Sequence, residues 1–159
     1  MNQAAAARLA ARIGAEYEVF QEFHRTLQHE QAALIQGETE RLLQLAPHKS
    51  ELIEKLSAFS AERSRDLAGA GHENNSSGMA AWLDALGADA KTRGSWNKLL
   101  DLAREAEQVN RHNGILIETH LRHNQQALAV LQAAANPGSL YGPDGQISGA
   151  SGARPRDKA

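Results

Sequence analysis

Residues 111–132 read RHNGILIETHLRHNQQALAVLQ. Ile117, Leu121, Leu128 and Leu131 recur at steps of three, four and seven, the spacing of one face of an α-helix. Asn113, Gly114 and Asn124 interrupt the run, and Asn110 lies just before it. A glycine inside a helix costs about 1 kcal/mol relative to alanine. Asparagine competes with the helix through its own side chain. Nothing in the stretch resembles a strand, so its period decides for helix, and the disfavoured residues need a reason. In a bundle, asparagine at a core heptad position fixes register at some loss of stability. Glycine there lets a neighbouring backbone approach or leaves a notch for a bulky side chain. A second reading is that these residues keep the stretch adaptable, ready to repack around a client.

Working backwards, the same seam extends to Trp96, Leu100, Ala103, Glu107, Asn110 and Gly114, and forwards to Ala135. Ser95 is a natural N-cap for this helix, and Ala88–Gly94 reads as connector or as its helical extension. A helix from Ser95 to Ala135 is about 60 Å long and needs long partners. The first segment, Gln3–Gln36, supplies one. Leu9, Ile13, Tyr17 (or Glu16), Phe20, His24 (or Phe23), Leu27 and Leu34 form its stripe, with Gln31 as a polar gap and Gly37 as the stop. The second begins near Glu38, with Leu42, Leu45, Lys49, Leu52, Leu56, Phe59, Arg63 and Leu67 in the same rhythm. Pro47 predicts an early kink or break just before it. Gly69–Gly78 is a loop by composition, and a short helix follows from about Ser77 to Leu86, ended by Gly87.

The expected fold is therefore all-α: an elongated antiparallel bundle of three long helices plus one short helix, packed like a coiled coil. Residues 1–135 form the bundle. Residues 136–159 change character, since eleven of these 24 are Gly, Pro or Ser. That composition predicts a disordered tail, in which Leu140, Tyr141 and Ile147 are the apolar exceptions.

Composition bounds the chemistry. The 159 residues carry a net charge of −2, so no overall field points to nucleic acid or an anionic membrane. There is no cysteine, hence no disulfide, thiol nucleophile or Cys-based metal site. Arg8 and Arg12 interrupt the stretch where a signal peptide would have its apolar core, and no transmembrane run is present. No Glu is followed by His three residues on, no serine sits in a nucleophile elbow, and Gly69–Gly78 lacks the Lys-Ser/Thr of a phosphate loop. His120 and His123 form the nearest approach to a metal motif and read more simply as solvated. The expectation is a non-enzyme without metal or cofactor, in the cytoplasm, binding neither nucleic acid nor a small-molecule substrate.

Trp96-Asn97-Lys98-Leu99-Leu100 leads into Asn110-x-x-Asn113-Gly114-x-Leu116-Ile117, then Gln125-Gln126-Ala127-Leu128, then Leu140-Tyr141-Gly142-Pro143-Asp144-Gly145-Gln146. This combination resembles the FlgN family of flagellar export chaperones, and the likeness extends over most of the chain. The resemblance implies a chaperone of a type III secretion system. Such a chaperone binds the C-terminal helical segments of the hook-filament junction proteins FlgK and FlgL, holds them unassembled and delivers them to the membrane export gate and its ATPase complex. Client or gate contacts are expected on Asn113, Gly114, Ile117, Leu121, Leu128, Leu131, Leu140, Tyr141 and Ile147. The competing reading is a structural coiled-coil protein that associates with itself and has no export client.

Overall fold

The computed structural model describes residues 2–135, and its elements are α1 (Asn2–Gln36), α2 (Thr39–Gly69), α3 (Ser76–Ala85) and α4 (Ala90–Ala135). The all-α expectation holds, with no strand among the described residues. The chain divides into two compact units, and the division falls within α4, between Ile115 and Leu116.

In the first unit, α1 stops where Gly37 takes a positive φ of 71°, a conformation only glycine adopts freely. Two residues later α2 sets off antiparallel to α1. All eight positions read as its stripe, from Leu42 to Leu67, are buried or half-buried. The expected break before Pro47 is absent: α2 runs straight through it. Proline removes one backbone donor.

On α1 the inward choices are Glu16 and Phe23, while Tyr17 and His24 are half-buried. Asn75 caps α3, its side-chain oxygen accepting the Gly78 N–H at 2.7 Å. A Cβ on Gly78 would lie 1.8 Å from the Glu73 carbonyl oxygen, so the cap closes only over glycine.

The cap of α4 is not Ser95. Asp89 accepts the Thr92 N–H at 2.8 Å, so Ala90–Gly94 is helical and Ser95 lies inside. The first apolar cluster joins Leu9 and Ile13 of α1, Leu67 of α2, Met79, Trp82 and Leu83 of α3, and Ala88 and Leu99. The second joins Phe23, Leu27, Leu52 and Ala106. Progress along α4 thus follows progress along α1, while α2 runs the other way. The short α3 closes the end where α2 finishes and α4 begins.

The seam of α4 in this unit is out of phase with the one expected. Thr92, Leu99, Ala106 and Asn113 are buried, at exact heptad spacing. Glu107, Asn110 and Gly114 are exposed, and Trp96, Leu100 and Ala103 are half-buried. The buried row contains a threonine, an alanine and an asparagine. A reading that follows the largest apolar side chains misses it by about one residue, or 100°.

Candidate partner-binding site

Two polar layers cross the first unit. In one, Arg63 of α2 donates to Glu16 of α1 at 2.5 Å and its guanidinium lies 5.1 Å from the centre of the Trp96 ring. In the other, Lys49 donates to both oxygens of Glu30 at 3.1 Å. Asn113 Nδ2 donates to Glu30 Oε1 and to the Leu27 carbonyl, both at 2.9 Å. Arg12 pairs with Asp66, with Glu62 at 3.7 Å. Each of these side chains has at least one polar partner, as burial favours, while Asn113 Oδ1 and Arg12 Nε are left without one among the described residues. They are structural, and no group of three or more metal-ligating side chains gathers among the described residues. Asp89 titrates below the ordinary carboxylate range, chiefly because the Thr92 backbone N–H bonds its charged form.

In the second unit, the helical residues 116–135 present a different surface. Ile117, Leu121, Leu128 and Leu131 are 47–66% exposed, and Val130 is 68% exposed. At 100° per residue, positions 117, 121, 124, 128 and 131 fall within about 80° of arc. This is one apolar stripe, with Asn124 as its polar member. Single exposed leucines are ordinary, whereas several aligned on one face form an unusual apolar surface. No described helix is long and apolar enough to cross a membrane.

The expected site residues therefore separate. Ile117, Leu121, Leu128 and Leu131 share the exposed stripe. Asn113 is fully buried and spends its donor inside the first unit, so it is not a surface contact. Gly114 is exposed, and a Cβ there would meet nothing within 4 Å, so it makes no close-packing notch. Leu140, Tyr141 and Ile147 lie outside the described residues. Val130, also exposed, was missed because it falls off the three-four step of the stripe. Glu16 was read only as an alternative, and Glu30 was not read at all. Yet a signal existed: fourteen residues, two heptads, separate Glu16 from Glu30 and equally Lys49 from Arg63. Two acids and two bases at matching intervals on antiparallel helices meet as two pairs.

A family model described as FlgN protein matches residues 1–149. Among curated proteins, the chain is 50% identical over 56 residues to the flagella synthesis protein FlgN of Yersinia enterocolitica, covering 35% of this chain and 37% of that one. It is 45% identical over 51 residues to that of Proteus mirabilis, covering 32% and 34%. It is 40% identical over 53 residues to that of Escherichia coli strain K12, covering 33% and 38%. The chain thus spans just over a third of the length of the curated relatives it matches. No solved structure matches it.

Proposed function

The chain belongs to the FlgN family, and from that premise we propose that it is a non-enzymatic chaperone of flagellar export working in the cytoplasm. Its clients are the hook-filament junction proteins of the FlgK and FlgL type. It binds their C-terminal helical segments, holds them unassembled and passes them to the export gate and ATPase complex. The relatives it matches are named flagella synthesis proteins, which sets the process. The observation that carries the reading is the exposed stripe Ile117, Leu121, Leu128 and Leu131. The row stands at i, i+4, i+11 and i+14 of one helix face, and the amphipathic helix of a client supplies the complement. Leu140, Tyr141 and Ile147, the apolar residues of the sequence from Asn136 onward, add further contacts to client or gate.

The test is calorimetric titration of the full chain with the C-terminal segment of the junction protein from the same bacterium. Replacing Leu121, Leu128 and Leu131 together with serine is expected to weaken binding at least tenfold. Thermal stability of the first unit, read by its tryptophans, stays within a few degrees. Tyr141→Ala and truncation after Ala135 separate the contribution of the tail. Undiminished affinity in the triple variant refutes the stripe as the binding face. A parent chain that binds no client but forms oligomers, which the serine variant does not form, establishes self-association instead.

A further inference from the structure

Asn113 is fully buried, and its Oδ1 has no hydrogen-bond partner among the described residues. An orphaned buried oxygen is costly, and an all-apolar layer of similar volume in place of Asn113, Glu30 and Lys49 would often be neutral or stabilising. Stability alone does not explain the asparagine. The alternatives open to α4 do.

The seats that α4 fills on the α1–α2 hairpin are those of Leu99, Ala106 and Asn113. Advance the helix by four residues and the occupants become Ala103, Asn110 and Ile117. Advance it by seven and they become Ala106, Asn113 and His120. Either slip drops an asparagine into the apolar layer of Phe23, Leu27 and Leu52, where nothing bonds it. A retreat by three brings Trp96 into the seat of Leu99, overfilling it. Only an advance by three is apolar throughout: Leu102, Val109 and Leu116. That slip is a translation of about 4.5 Å. Apolar contacts alone do not reject it. It does, however, remove the Asn113 bond to Glu30 and set a leucine beside the buried Glu30–Lys49 pair.

We infer that Asn113, held by the Leu27 carbonyl and by the Lys49-paired Glu30, is the register lock of α4, selecting the native setting over the three-residue slip. Together with Asn110 it excludes the neighbouring settings as well. Buried polar residues that fix register are best attested in coiled coils, and this three-helix seam has the same heptad repeat.

The absence of cysteine gives a clean background for a test on the full chain. Gln31 and His112 lie across the α1–α4 interface, with side-chain nitrogens 3.4 Å apart. Cysteines at 31 and 112 joined by a short methanediyl bis-thiosulfonate bridge, which replaces the reach of the two long side chains, therefore report the native register, and a pair at 31 and 115 reports the three-residue slip. Bridging is followed on non-reducing gels, counting only monomeric species, with helix content checked by circular dichroism. In the parent background the 31–112 bond dominates. Asn113→Leu is expected to raise the ratio of 31–115 to 31–112 cross-link by about tenfold, the ordinary worth of one buried hydrogen bond. If Asn113→Leu does not fold, the all-apolar layer Glu30→Leu, Lys49→Met, Asn113→Leu is scored instead, with the same expectation. A ratio unchanged from the parent in whichever of these variants folds overturns the lock. If neither variant folds, the layer is needed for folding itself, and the idea that it only selects register is refuted. No client is present in the assay, so the outcome is independent of the chaperone reading.

Discussion

Replacing Arg63 with methionine isolates the upper polar layer. The Glu16 side chain is 5% exposed and that of Arg63 20%, with 2.5 Å between their charged atoms. Removing one partner of a buried pair costs about 3–5 kcal/mol, because the other charge is left uncompensated. The fifth of Arg63 that water reaches places this case near the low end, about 3 kcal/mol. Loss of the cation over the Trp96 ring adds about 0.5–1 kcal/mol. Methionine keeps most of the packing of the arginine stem, so no cavity term is added. The expected loss is about 3–4 kcal/mol, or roughly 10 °C in Tm for a chain of this size. The decisive comparison is the double variant Glu16→Leu, Arg63→Met, in which neither charge remains. It is expected within about 1 kcal/mol of the parent. Urea unfolding followed by tryptophan fluorescence measures both, since Trp82 and Trp96 lie in the first unit. If Arg63→Met costs under about 1 kcal/mol, or if the double variant is as unstable as the single one, the layer is not an electrostatically coupled pair and the reasoning fails.

Two glycine substitutions are expected to move stability in opposite directions. Gly114→Ala stabilises α4 by up to about 1 kcal/mol, since its Cβ meets open space in a helix interior; a loss on thermal unfolding would show that the site is crowded. Gly78→Ala destabilises by about 2 kcal/mol or more, because its Cβ collides with the Glu73 carbonyl; unchanged stability would refute the tight cap of α3. Asp89 supplies a pH signature. Its carboxyl titrates below its ordinary 3.8, so its capping contribution is whole above that value and fades as pH falls through the folded one. The stability gap between parent and Asp89→Asn is therefore expected to narrow on acidification below about pH 4, and a gap independent of pH would contradict the cap.

The all-helical class, the element order and the α1–α2 pairing were legible from residue order alone. Apolar side chains at three- and four-residue steps can be buried together only on a helix, and Gly37 and Gly87 mark where helices stop. The face of α2 was read correctly at every position because its leucines are unambiguous and Lys49 and Arg63 fill the gaps between them. Family membership was also visible, in the run from Trp96 to Gln146.

The phase of α4 was decided only by tertiary packing. Its buried row is Thr92, Leu99, Ala106 and Asn113, while Ile117, Leu121, Leu128 and Leu131 stay exposed. A periodicity reports that an amphipathic face exists; it does not say whether a neighbour covers it. Asn113 belongs inside because Glu30 and the Leu27 carbonyl accept its amide hydrogens, and Gly114 stays outside, where a Cβ would meet nothing within 4 Å among the described residues. Both facts depend on residues more than sixty positions away in the chain, and only the folded hairpin brings those residues within bonding distance.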